Sequence, residues 1–245
     1  MSHRARLPIA SFITRRKLLS AKVNGVVLSG FLLLLAYLWI EDSFSLCLRA
    51  FLYLSPFLSL FFSQDMLNEE IHSGVLENVF FIQGRFRDYL LVKNALVAAS
   101  ALGINLMLFS GLALYGLATR QFEARALGQF AAGVLVGLYY VAVAGFLSFF
   151  LRAGSNVLII LLGQVLLFVG FLFTAAQRMG LVERLTASSF PGIGAKLEFL
   201  AVSFVLPNIA IALRTRLSVL GLGAMMAFFF ILQVWKVKSL ELRKR

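Results

Sequence analysis

Apolar runs separated by polar breaks make up nearly all of this chain. A helix crossing about 30 Å of hydrocarbon needs about 20 apolar residues. Runs of that kind occupy residues 23–40, 46–62, 95–118, 127–151, 157–176 and 217–235. The pattern predicts an all-α integral membrane protein with six transmembrane helices. The run 197–213 is apolar too, but Pro207 lacks an N–H to continue a helix, and Glu198 and Arg214 bracket a stretch too short to span. It is expected to form, with its neighbours from about 181 to 216, a pair of re-entrant half-helices before the sixth span, on the outer side and packed against protein.

Basic residues set the orientation. Arg4, Arg6, Arg15, Arg16, Lys17 and Lys22 precede the first span, and Lys236, Lys238, Arg243, Lys244 and Arg245 follow the last. The first break carries Glu41 and Asp42 instead. Lys and Arg accumulate on the cytosolic side of membrane spans, so both termini are expected in the cytosol, in keeping with an even number of spans. The first run is long for a signal peptide and ends in YLWIED rather than in small residues; it is expected to stay as a span.

Within the spans, Gly133 and Gly137 form a GxxxG pair, expected to serve packing within the subunit. Pro56 is expected to kink the second span, with Ser55 and Ser59 re-satisfying freed backbone groups. Trp39, Tyr37, Tyr115 and Trp235 stand near span ends, where interfacial aromatics sit. Asn105, Ser110, Tyr139, Tyr140, Ser148, Gln164 and Thr174 are the polar residues of the spans, read as interhelical hydrogen-bonding groups before any reading as a path.

Composition narrows the function. The chain is 60% hydrophobic and 14% charged, far from the about 25% charge of soluble domains. Its net charge of +12 resides at span ends, where it meets anionic lipid, so nucleic acid is not an expected partner. The lone Cys47 has no disulfide partner, and the two histidines, His3 and His72, lie outside the spans, so no metal site is expected. No acidic residue or His lies deep in a span, which argues against ion-coupled transport. Neither a hydrolase-type nucleophile with a base nor a phosphate-binding loop is present: GIGAK at 192–196 lacks the spacing. The chain is read as a non-enzyme that holds no cofactor of its own.

The break between the second and third runs is different in kind. Residues 65–93 hold Asp65, Glu69, Glu70, Glu77 and Asp88, five of the chain's eleven acids. At about 100° per residue, Leu67, Ile71, Val75, Val79 and Ile82 fall within about one third of a helical circumference, with Glu69, Glu70, Ser73 and Glu77 on a separate arc. An amphipathic helix is predicted over 65–82, ended by Gly84, with Arg85, Arg87 and Lys93 leading into the third span. Helices that lie on lipid favour Lys and Arg on the polar face. An acidic face suits a basic cleft on a protein instead.

Here the residues resemble the permeases of type-2 ATP-binding-cassette (ABC) exporters. That family carries a pattern close to E-x-x-x-G-T-L-E between spans two and three, with a Lys downstream. This chain has Glu70, then Gly74-Val-Leu-Glu77, then Lys93. Val75 stands for the usual Thr and Gln83 for the usual Pro. The six runs, the basic lead-in, the outer stretch before the sixth run and the tail KSLELRKR extend the resemblance over the whole chain.

The resemblance implies a permease subunit forming half of a translocation pathway in the cell (inner or plasma) membrane. Its insert would be the coupling helix, with Glu69, Glu70, Gly74 and Glu77 docking on a cytosolic ABC ATPase subunit that holds the ATP and Mg. A second permease, identical or not, would complete the pathway. The insert and layout are also similar to those of the haem-export permease of cytochrome c maturation. A non-transporting membrane scaffold that recruits a cytosolic protein through the same helix is the reading from another class.

Overall fold

The computed structural model describes residues 21–41, 43–63, 86–151, 155, 157–165, 192–194, 196–197 and 215–243. Regular structure among them is helical throughout: α1 (Ala21–Glu41), α2 (Phe44–Ser63), α3 (Phe86–Ala118), α4 (Arg125–Leu147), a helical segment at 157–165, and α5 (Thr215–Arg243). Four helices among the described residues are long and apolar enough to cross a membrane, over Phe44–Ser63, Tyr89–Ala118, Arg125–Leu147 and Val219–Lys238. The chain is a membrane-embedded helical protein. In α1 the apolar stretch Val27–Ile40 is shorter. The expected fifth span is described only over 157–165, and the insert 65–82 and nearly all of the re-entrant stretch lie outside the described residues.

Two helices run well beyond the apolar stretches that predict them. The third was expected from residue 95, yet α3 begins at Phe86 and has 33 residues, about 50 Å at 1.5 Å per residue. Tyr89, Leu90 and Val97 are buried on one stripe that runs past the charge of Lys93, so the packing face continues where the hydropathy falters. In the same way α5 continues past Trp235 to Arg243. The fourth helix, by contrast, stops at Leu147 rather than 151. There Ser148 Oγ donates to Gly145 O at 2.7 Å, and Phe149 and Phe150 N–H close i−3 turns onto Phe146 and Leu147, which winds the chain out of the α-helix.

The bundle is organised around α4, which packs most extensively on α2, next on α5, and also on α3; α1 packs chiefly on α2. The cause is side-chain size. In lipid there is no hydrophobic drive between helices, so close approach of backbones at small residues does the work. Ala132, Gly133, Gly137, Ala142, Ala144 and Gly145 of α4 are all buried. Aromatic rings fill the wider gaps: Phe109 stacks on Phe130 with centroids 4.5 Å apart, and Phe57 on Tyr140 at 6.2 Å. The outer surface stays apolar, with Leu28, Leu33, Leu106, Leu114, Leu220 and Ile231 exposed.

The expected interfacial tryptophans are exposed at opposite ends: Trp39 at the close of α1 and Trp235 near the close of α5. The end where α2 finishes and α3 begins is called the insert end below.

Candidate functional site

Glu69, Glu70, Gly74 and Glu77 lie outside the described residues. What the structure does describe is the framework on either side of them: the close of α2, the opening of α3, and the helices that hold both.

At the insert end, three helices meet on one amide. Gln233 of α5 is fully buried. Its Nε2 donates to the Ala142 carbonyl of α4 at 2.7 Å, and its Oε1 accepts from Asn94 Nδ2 of α3 at 3.0 Å. Room for it comes from Gly145, where a Cβ would stand 2.8 Å from Gln233 Nε2. One turn along α3, Leu90 packs in a buried cluster with Tyr89, Phe62 of α2, Val141 of α4 and Val237 of α5. Lys93, the basic residue of the sequence motif, is 2% exposed, with Nζ 5.8 Å from the centroid of the Tyr89 ring. The face of the Tyr89 ring gives this withdrawn Nζ an electron-rich neighbour.

Half-way along the bundle lies a second polar layer. Asn105 Nδ2 of α3 donates to Ser59 Oγ of α2 at 2.9 Å, and Ser59 Oγ donates to its own helix at Ser55 O, 3.1 Å away. The small face of α4 closes the layer. A Cβ on Gly137 would be 2.6 Å from Ser59 Oγ, and one on Gly133 would be 3.2 Å from Ser55 Oγ. Thus the GxxxG pair does pack within the subunit, against a Ser-x-x-x-Ser pair. Pro56 lies within α2, but Ser59 bonds the Ser55 carbonyl rather than that of Leu52, the one a residue at 56 would ordinarily satisfy. Ser55 Oγ and Asn105 Oδ1 have no partner among the described residues.

The far end is closed by a loop. Gln121 Oε1 accepts the Phe44 N–H at 2.8 Å, capping the first turn of α2 from the α3–α4 connection. Phe122 meets the Phe44 ring with centroids 5.7 Å apart.

Of the span polar residues, Asn105 joins α3 to α2, and Gln164 joins Tyr140 through its amide. Ser110 and Ser148 bond within their own backbone, and Thr174 lies outside the described residues. Sequence reasoning missed Gln233, Asn94 and Gln121. The signal for Gln233 was available: a single amide in the run FFFILQVW has no solvent to turn to.

Among the described residues no three His, Cys, Asp or Glu cluster. A groove of about 700 Å³ runs between α1 and α3, lined by Asn24, Val27, Leu28, Phe31, Ser100, Gly103, Ile104 and Met107. Comparison with family models, with curated proteins and with solved structures returns no match.

Proposed function

We propose that this chain is the transmembrane permease subunit of an ATP-binding-cassette exporter, lying in the cell membrane with six spans and both termini in the cytosol. It forms half of a translocation pathway that a second permease completes. The observation that carries the reading is the acid-faced amphipathic segment 65–82, with Glu70, Gly74 and Glu77 at the motif spacing, inserted between two helices that sit inside a membrane bundle.

The framework supports a mechanical role. A helix tethered at both ends to a bundle delivers force only if its two neighbours are held by the rest of the molecule. Here α3 is tied to α5 through Asn94 and Gln233, and to α2 through Asn105 and Ser59. At about 50 Å, α3 is longer than the hydrocarbon is thick, so part of it would extend beyond the hydrocarbon, next to the insert or at its other end. Closure of two ATPase subunits, which carry the ATP and Mg, would press on the insert and move these helices together.

The test is affinity purification of the full chain in mild detergent. The chain is expected to bring down a soluble ATPase, and Glu77→Ala and Gly74→Leu are expected to weaken that capture with the spans still inserted. Capture of the ATPase undiminished by both substitutions, or labelling that puts residues 65–93 outside the cell, overturns the reading.

A further inference from the structure

The groove between α1 and α3 has one polar end and an apolar length. Its α3 wall, from Ser100 to Met107, lies inside the span Tyr89–Ala118. Its α1 wall opens at Asn24, just before the apolar stretch Val27–Ile40. Both helices start at the insert end, so Asn24 and Ser100 mark the end of the groove nearest the insert, with Phe31 and Met107 deeper. Leu28 and Met107 are exposed at the rim. Gly103 keeps the α3 wall low, since a Cβ there would meet nothing within 4 Å. Among the described residues, neither the Asn24 amide nor the Ser100 hydroxyl has a hydrogen-bond partner. Beside hydrocarbon, a polar group left so costs free energy.

We propose that this groove binds one anionic phospholipid of the leaflet at the insert end. An acyl chain lies past Gly103 toward Met107, and the ester region is held by Asn24 and Ser100.

Three observations select this occupant. Apolar walls with polar groups at one end match a ligand that is hydrocarbon along its length and polar at its tip. Asn24 Nδ2 and the Ser100 hydroxyl can donate, and ester carbonyls accept. Residues 1–40 contain no Asp or Glu, while Arg15, Arg16, Lys17 and Lys22 precede Asn24; basic runs at a span end attract anionic headgroups. A helix of a second copy fits less well. Helices associate in lipid where small residues let backbones approach, and here Leu28, Phe31 and Met107 flank the opening. Bound lipid would give α1, which packs chiefly on α2, a filled contact with α3. The inference concerns the bundle alone and does not depend on an ATPase.

The experiment equilibrates the full chain with equal phosphatidylglycerol and phosphatidylcholine, extracts it in mild detergent and weighs the intact particle by native mass spectrometry. One phosphatidylglycerol per chain is expected, favoured about fivefold over phosphatidylcholine. Asn24→Leu removes a donor and is expected to lower retention about fivefold. Gly103→Phe fills the space left open and is expected to abolish retention. Gly128→Phe also enters open space, but on α4 and outside the groove, and is expected to retain the lipid as the wild type does. Asn24, Gly103 and Gly128 are all exposed, and unchanged elution of the Asn24→Leu variant on size exclusion reports that the fold is retained. The proposal is overturned by a wild-type chain that carries no phospholipid or only detergent, by equal retention of the two lipids, or by equal loss in Gly128→Phe. A dimer that Gly103→Phe splits with no phospholipid lost also overturns it, since a second copy would then cover the groove.

Discussion

Gln233 Nε2 donates to the carbonyl oxygen of Ala142 at 2.7 Å across 91 positions of sequence, so a side chain of the last helix bonds the backbone of the central one. That carbonyl sits in the interior of α4, and the same amide accepts from Asn94 of α3. Three helices therefore share one donor–acceptor group in a place water does not reach. Gln233→Leu keeps the volume but leaves Asn94 Nδ2 without its acceptor. Interhelical hydrogen bonds in membranes contribute about 0.6–2 kcal/mol. The substitution is expected to lower stability by about 1–2 kcal/mol, read from unfolding in detergent. A double-mutant cycle with Asn94→Ala is expected to give coupling of about 1 kcal/mol. Additive effects would mean that the amide is not shared.

Glycine positions on α4 divide by what a methyl group would meet. On Gly137 it would stand 2.6 Å from Ser59 Oγ and 3.1 Å from Ser59 Cβ, whereas on Gly128 it meets nothing within 4 Å. Gly137→Ala is expected to cost about 1–3 kcal/mol through overpacking. Gly128→Ala, on the same helix, is expected to be neutral or to stabilise by up to about 1 kcal/mol. Melting temperatures of the two variants in the same detergent decide it, and equal shifts would contradict the packing described here.

How far the sequence foretells this arrangement depends on the scale of the question. Hydropathy places α2 and α4 to within a few residues because their apolar runs and their helices coincide. It misplaces the start of α3 and the end of α5, since Lys93 and Lys236 interrupt the apolar count while the helix continues on packing. The small pair Gly133 and Gly137 was legible as a packing device, but its partner was not: a GxxxG spacing names a face and not which helix covers it. Gln121 was illegible for another reason. Its contact with Phe44 depends on where a turn aims a side chain, 77 positions away, and no local pattern carries that. The docking residues Glu69, Glu70, Gly74 and Glu77 rest on the motif alone.

Arg120 holds φ at 59°, the left-handed region that costs a side chain about 1–2 kcal/mol. It does so because α3 ends in a paired closure. The Gln121 N–H bonds Gly116 O at 2.8 Å, and the Arg120 N–H bonds Leu117 O at 3.2 Å. That pairing calls for glycine at the left-handed position. Arg120→Gly is expected to raise stability by about 0.5–1 kcal/mol, and Arg120→Val, β-branched at the same φ, to lower it. Thermal unfolding of the pair gives the sign, and a loss in the glycine variant would show that the arginine side chain supplies contacts outweighing its backbone strain.

The same turn delivers the cap on α2, so its effect is separable by chemistry rather than position. The first N–H groups of a helix lack partners within it and carry partial positive charge. Gln121 Oε1 meets one of them, at Phe44. Gln121→Ala removes the acceptor and is expected to cost about 1 kcal/mol, in the range of lost caps. Gln121→Glu keeps an oxygen in place and adds negative charge at a helix start, and is expected to retain wild-type stability or exceed it at neutral pH. If the glutamate variant loses as much as the alanine one, the amide nitrogen matters and the capping account fails.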